Sequence, residues 1–360
     1  MSRATGNPGL KALQLLSAWR SILMGSTPML SIEVTRECPL SCPGCYAYGD
    51  SHLGGAGLLR NLSDYRGDEL VNRVIGLVDE HRPLHVSLVG GEPLVRHREL
   101  SRLLPILSKR NIHTMIVTSA VIPIPKSWME IPRVLVTVSV DGLPEHHDIR
   151  RKPATYERIL KNIEGCDVNV HWTITRPMLQ RTGYLDEYLS FWSERPEVMH
   201  IWTSIYTPQR GEHCDEMLTV ADRELVAQEL LKAKTRHPKL LMNSGLARAM
   251  LAPPLSPRDC MFARMSTNYS ADLKTRVEPC IFGGDPDCSQ CGCAISTGLH
   301  YIKDIRLAHT IKIEKIAHAS AAVGSFLGKF QGRRHTRWEA KPTGKLVEIS
   351  QPRNPQRKAS

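Results

Sequence analysis

Nowhere in the 360 residues is there a run approaching the ~18–20 uncharged apolar residues that cross a bilayer, which excludes a membrane-spanning helix. The N-terminus shows no apolar stretch followed by a small-residue cleavage site, so the sequence predicts a cytoplasmic protein. No internal repeat is visible, which excludes an array of stacked units. Acidic residues are in deficit, 36 against 47 basic ones, for a net charge of +11. What is present is an ordinary globular composition, 41% hydrophobic and 23% charged. The length suits one main domain with a smaller module attached.

Much of the positive excess sits at the C-terminus, from Arg333 to Ser360, a polar, proline-bearing stretch that reads as a disordered, solubilising tail. At the other end, Leu10, Leu13, Leu16, Trp19, Ile22 and Leu23 recur at helical spacing within Gly9–Met24. This reads as an amphipathic helix that docks on the main domain, with peripheral membrane contact as the other reading.

Between these ends, short apolar runs alternate with periodic segments. Strands are predicted at Leu30–Thr35, His85–Val89, His113–Thr118, Val134–Val140, Val168–Thr175 and His200–Tyr206. Helices are predicted at Glu69–Glu80, Glu99–Lys109, Tyr156–Glu164, Gly183–Trp192 and Ala221–Arg236. Six strands, most followed by a helix, imply right-handed parallel βαβ units. The expected fold is therefore α/β, a partial (β/α)6 TIM-like barrel with a small cysteine-rich C-terminal module. The predicted division is an N-terminal helix at 1–28, the barrel at 29–240, the cysteine-rich module at 241–300, a helical segment at 301–332 and the tail at 333–360.

In such a barrel, chemistry sits at the C-terminal ends of the strands. Ten cysteines in a chain without an export signal point to metal or catalysis rather than disulfides. Cys166 and Cys214 stand alone and read as buried small hydrophobes. The other eight form two groups. Cys38, Cys42 and Cys45 follow the first strand on one loop. Three thiolates with no nearby fourth suit a [4Fe–4S] cluster with one iron left open, whereas zinc usually takes four ligands. Gly90-Gly91-Glu92-Pro93 follows the second strand, Thr118-Ser119-Ala120 ends the third, and Ser139-Val140-Asp141-Gly142 ends the fourth, followed by His147-Asp148-Ile149-Arg150-Arg151.

CxxxCxxC after the first barrel strand, with GGEP and S-x-D-G…H-D-x-x-R in that order, resembles the radical S-adenosylmethionine superfamily. The resemblance implies that Cys38, Cys42 and Cys45 hold a [4Fe–4S] cluster that binds S-adenosylmethionine. It implies that Gly90, Gly91 and Glu92 meet the methionyl amino group, that Ser119 and Ser139 lie near the ribose, and that Arg151, with Arg150 as the alternative, meets the methionyl carboxylate. The residue before the third cysteine, usually aromatic in the superfamily, is here Gly44. Tyr46, on the far side of Cys45, is the aromatic placed to contact the cofactor.

Cys260, Cys280, Cys288, Cys291 and Cys293 form the second group, five cysteines in 34 residues. The layout resembles the SPASM or twitch extension of many radical enzymes, which implies one auxiliary [4Fe–4S] cluster. The expected ligands are Cys260, Cys280, Cys288 and Cys291, with Cys293 in competition. A zinc knot is the other reading of the same thiols.

The implied activity is reductive cleavage of S-adenosylmethionine to a 5′-deoxyadenosyl radical that modifies a substrate, with electrons from a partner such as flavodoxin or ferredoxin. Relatives that share the S-x-D-G…H-D-x-x-R stretch modify peptides or proteins, so a peptide substrate leads. A lipid or isoprenoid follows, and RNA comes last because no RNA-binding module is visible. A non-catalytic iron–sulfur or zinc redox protein is the reading of another class. Tyr46, Tyr48, His52, His171, Tyr206 and His213 include candidate substrate contacts, and no residue beyond the cluster is assigned as catalytic.

Overall fold

Seven strands, all paired in parallel, build one open sheet in the order β6-β5-β4-β3-β2-β1-β7. The computed structural model describes residues 28–303 except 154, with a few residues on either side between 19 and 323. The segment 9–24, most of 301–332 and the tail 333–360 lie largely outside the described residues.

The strands are β1 (Met29–Glu33), β2 (His85–Val89), β3 (His113–Thr118), β4 (Val134–Ser139), β5 (Val168–Ile174), β6 (Val198–Ile205) and β7 (Ser266–Tyr269). Between them run α1 (Gly67–His81), α2 (His97–Lys109), α3 (Pro144–Arg150), α4 (Tyr156–Ile163), α5 (Tyr184–Glu194), α6 (Val220–Ala233), α7 (Ser244–Leu251) and α8 (Met261–Met265), and α9 (Ala294–Lys303) follows β7.

Each central strand alternates. In β5, Val168, Val170, Trp172 and Ile174 point outward and join the hydrophobic core, while Asn169, His171 and Thr173 point inward. Helices cover the outward face. On α1, Leu70, Val74, Leu77 and Val78 recur at helical spacing and are buried against it. Trp172 stacks on Tyr188 of α5 with ring centroids 3.9 Å apart. Burial of each such side chain stabilises the fold by about 1.5–3 kcal/mol. Strands covered on both faces usually read as continuous apolar runs. Here the inner face mixes apolar side chains such as Met115 and Val117 with polar ones, Ser31, Ser87, Thr137, Asn169 and Asn268, on five different strands.

The sheet is not closed. The outer edge of β6 is capped by a short parallel bridge, with Ile201 N–H donating to Lys239 C=O and Leu241 N–H to Ile201 C=O, both at 2.9 Å. An edge covered in this way cannot recruit another strand.

Two features depart from expectation. The segment 241–300, expected as a small cysteine-rich module separate from the barrel, contributes a strand and three helices, and β7 pairs with β1 to make a seven-stranded sheet rather than a six-stranded one. Its four residues, Ser-Thr-Asn-Tyr, carry no apolar run, and they form a strand because the free edge of β1 supplies a partner. Second, the α9 helix crosses residue 300, so the expected boundary there falls inside a helix.

Candidate active site

At the C-terminal ends of β1–β4 lies a cavity of about 830 Å³ whose wall includes Cys38, Cys42, Cys45, Tyr46, Gly90, Gly91, Glu92, Ser119, Ser139 and Arg151. All ten first-cluster and cofactor residues expected from sequence therefore meet at one place.

Backbone contacts hold the two leading loops together. Gly91 N–H donates to Thr35 C=O and Glu92 N–H to Glu37 C=O, each at 2.8 Å. Gly90 has a φ of 129°, and a Cβ there would lie 2.6 Å from the Thr35 carbonyl oxygen. The glycine pair thus lets the loop after β2 touch the loop that carries Cys38.

Glu92 is 1% exposed. Its carboxylate accepts from Leu94 N–H at 2.9 Å, from Ser119 N–H at 2.8 Å and from the hydroxyls of Thr118 and Ser119. Glu92 and Ser119, expected as separate ligand contacts, form one hydrogen-bonded unit that ties the ends of β2 and β3.

The stretch after β4 is organised by His147 and Asp148. His147 Nδ1 accepts from Asp141 N–H at 3.1 Å, and its Nε2 lies 2.9 Å from the Thr155 hydroxyl. Burial pushes its pKa down to about 4, in keeping with a neutral ring that accepts at Nδ1. Asp148 accepts from the backbone N–H groups of Thr155 and Tyr156. This turn delivers both arginines to Asp141, with Arg151 Nε at 3.0 Å and Arg150 Nε at 3.5 Å. Burial alone would raise the Asp141 carboxyl, but the guanidiniums of Arg151 and Arg150 hold it well below the usual carboxylate range. Arg151 lines the cavity, whereas Arg150 turns to Glu216 and the Tyr206 ring. Ser139, at the end of β4, is buried with no side-chain partner among the described residues.

Sequence reasoning missed the anchor of the cysteine loop. Arg96, 3% exposed, pairs with Glu37 at 3.1 Å and Asp64 at 2.8 Å, and Thr35 donates to Asp64 at 2.8 Å. Burial raises two of the thiols, Cys42 in that direction and Cys38 up to about 11. Binding a cationic cluster displaces those protons, so the donor set fits a metal cluster and is disfavoured as bare thiolates.

The five later cysteines line a second, smaller cavity together with Thr207, Phe262, Phe282 and Ser296. Cys260 caps α8, accepting from Ala263 N–H. Arg223 of α6 grips the Cys288–Cys291 turn by donating to the carbonyls of Gln290 and Cys291. Burial pushes Cys288 and Cys293 up to about 12. Among the described residues, no three His, Cys, Asp or Glu side chains close on a point that would chelate a single ion.

Tyr46 stands between the two cavities, its ring 5.3 Å from that of Phe282 and 5.7 Å from that of His52. His52 and Glu33 are each 1% exposed. His52 Nε2 lies 2.8 Å from Glu33 Oε1 and its Nδ1 lies 3.0 Å from the Phe282 carbonyl oxygen. Acceptors at both ring nitrogens call for protons on both, so His52 is an imidazolium. Burial opposes that charge, and the Glu33 carboxylate outweighs it, raising the His52 pKa above its ordinary value. A raised folded pKa stabilises fully below the unfolded value of about 6.5 and fades as pH rises through the folded one. Denaturation of the reconstituted protein across about pH 6 to 9 is expected to show this loss. The His52→Gln protein is expected to lack it, and parallel pH curves would refute the charge.

Of the remaining candidates, His171 faces the barrel interior with Nε2 2.7 Å from the Ser204 hydroxyl, Tyr48 donates to the Arg36 carbonyl, and Tyr206 donates to Glu212 at 2.5 Å. Cys166 is buried as expected. Cys214 is exposed rather than buried, in the loop after β6 where it lies beside Tyr206 and Glu212.

Residues 32–178 match the family profile described as the Radical SAM superfamily. No curated protein matches the chain. Among solved structures, the chain is similar to anSMEcpe with bound AdoMet, with a TM-score of 0.52 at 17% identity over 71% of this chain and 74% of that one. It is also similar to SuiB of Streptococcus suis bound to the precursor peptide SuiA, with a TM-score of 0.54 at 15% identity over 80% of this chain and 67% of that one. At such identities the likeness establishes the fold, a partial barrel of the kind these enzymes share. The stretch that matches this profile, residues 32–178, contains the cysteine loop after β1 and the strand ends that face it across the cavity.

Proposed function

We propose that the protein is an oxidoreductase-type enzyme that reductively cleaves S-adenosylmethionine and uses the resulting radical to modify a peptide or protein. The observation that carries this is the convergence of Cys38, Cys42 and Cys45 with Gly91, Ser139 and Arg151 on one cavity. A [4Fe–4S] cluster on the three thiolates supplies, when bound, one-electron cleavage of the sulfonium and hence hydrogen abstraction from the substrate.

The chain's own groups do the positioning. Arg151 offers its guanidinium to a carboxylate, and Asp141 fixes its orientation. Ser139 has its hydroxyl available to a ribose. The glycine joint leaves backbone polar groups within reach of an ammonium, while Glu92 keeps the two strand ends from parting. The second cavity would take an auxiliary [4Fe–4S] cluster on four of its five thiolates, within an arrangement of the SPASM or twitch kind. Electrons would come from a reducing partner such as flavodoxin or ferredoxin. No helix among the described residues is long and apolar enough to cross a membrane, and a cytoplasmic setting suits an oxygen-sensitive cluster. SuiB, whose fold is similar, is seen with a precursor peptide, which supports peptide ahead of lipid as substrate.

Anaerobic reconstitution with iron and sulfide, followed by reduction and addition of S-adenosylmethionine, tests the reading. About eight irons per chain and formation of 5′-deoxyadenosine are expected. Zinc at both sites with no cleavage would overturn it.

A further inference from the structure

Near the start of α6 sits a buried cation without a counter-charge. Arg223 is 8% exposed. Its guanidinium donates to the carbonyls of Met250 at 3.4 Å, of Cys291 at 3.3 Å and of Gln290. No carboxylate pairs with it among the described residues. The acidic groups around it are committed elsewhere. Asp222 accepts from Thr219 N–H and pairs with Arg176 at 3.4 Å. Asp287 accepts from Ser289 and Gln290, and Glu224 is exposed. Burial pushes the Arg223 pKa down, against the attraction of Cys291 and Asp287. A charge taken out of water without a partner is strongly destabilising, and carbonyl dipoles offset only part of that cost. A neutral donor would serve the same carbonyls, so the full charge calls for an anion close by.

The turn that Arg223 holds is the one that presents Cys288 and Cys291 to the second cavity. The wall of that cavity carries five thiols and no Lys, Arg or His. Arg210 also faces Cys288, but it is exposed and paired with Asp285 at 3.2 Å. Four thiolates outweigh the positive charge of an oxidised [4Fe–4S] core, so such a centre is an anion, and an added electron makes it more so. The charge state and position of Arg223 match that need.

We infer that Arg223 is the counter-cation of an anionic iron–sulfur centre in the second cavity and that it favours the reduced form of that centre. This rests on the functional reading above and adds to it a residue outside the cysteine motif that sets a potential. The step is a one-electron reduction. The electron passes from a low-potential donor to the iron core, no bond breaks, and Arg223 keeps its proton while offsetting the added negative charge.

Arg223 also satisfies Met250 in the last turn of α7, where a cation suits the helix end. The test therefore separates charge from grip. Arg223→Lys keeps the charge and loses the fork, whereas Arg223→Gln keeps donors and loses the charge. Both are made in the reconstituted Cys45→Ala protein, so that the second cavity is the cluster site that remains. A redox titration followed by electron paramagnetic resonance reads the midpoint potential. Arg223→Gln is expected to lower the reduction equilibrium constant about tenfold or more, a shift of about 59 mV to more negative potential for one electron. Arg223→Lys is expected to stay near the unsubstituted value. Loss of iron from Arg223→Gln alone would also support the inference, because the anion would then need the counter-charge in order to bind. A potential that Arg223→Gln leaves unchanged or raises, a shift as large in Arg223→Lys, or iron lost from Arg223→Lys would overturn it. Zinc or no metal in that cavity would overturn it as well. Formation of 5′-deoxyadenosine by the protein with Cys45 intact reports on the functional reading, so the two can fail separately.

Discussion

Replacing Cys45 by alanine is expected to lower the iron content of the reconstituted protein from about eight to about four per chain and to reduce 5′-deoxyadenosine formation to background. The expectation follows from the geometry of two separate thiol sets. Cys38, Cys42 and Cys45 line one cavity and the five later cysteines another, and the two walls share no thiol. With one of three ligands gone, no remaining thiol in the first cavity can take its place. The double substitution Cys288→Ala/Cys291→Ala leaves three thiols in the second cavity and is likewise expected to remove about four irons. Combining the two should leave the protein nearly iron-free. Sulfide and iron analysis reads all three, and metal analysis distinguishes zinc. Cleavage of S-adenosylmethionine that survives Cys45→Ala would place the reaction elsewhere, and iron counts that do not add would mean that the two sets are not independent.

The residues that make this contrast possible were legible because they are local. CxxxCxxC, GGEP and S-x-D-G…R each occupy a few consecutive positions, and each follows a strand whose alternation fixes where it ends. Five of the six strands read from sequence start within one residue of their positions in the structure, because their outward residues form β-branched or aromatic runs. What supports the site was not legible, because its partners are far apart in the chain. Arg96 pairs with a carboxylate 32 residues earlier and another 59 earlier. His52 is held by the Phe282 carbonyl, 230 residues away, and Ser270 donates to Glu33 across 237. A lone Arg or His carries no periodic signal, and only the closed fold reveals its partner. β7 was hidden for a related reason. Its four polar residues form a strand through the pairing that β1 offers, not through propensity. Glu92 shows the limit from the other side. Its position was evident, but not that the chain itself supplies four donors to its carboxylate.

Substituting Gly91 by alanine is expected to weaken binding of S-adenosylmethionine at least tenfold and to lower the melting temperature of the reconstituted protein. A Cβ at Gly91 would fall inside van der Waals contact of the Glu37 carbonyl group, and it would lie 2.8 Å from the Tyr48 hydroxyl. The Tyr48 side chain can turn away, but the Glu37 backbone cannot. It accepts from Glu92 N–H at 2.8 Å, and the Glu37 carboxylate is pinned by Arg96, itself fixed by Asp64. Relief therefore requires either the loop carrying Cys38 or the chain at Gly91 to move, and overpacking of that kind costs about 1–3 kcal/mol. The displacement falls between Cys38 and Glu92, so the penalty appears in cofactor affinity as well as in folding. Gly55→Ala is the matched control. Nothing lies within 4 Å of a Cβ there, and the position is expected to stay within about 0.5 kcal/mol of the unsubstituted protein. Equilibrium dialysis and a melting curve on both variants separate a local clash from a general effect of adding a methyl group. A Gly91→Ala protein that melts and binds like the Gly55→Ala protein would mean that the loops after β1 and β2 do not meet, and the cavity they enclose would have to be redrawn.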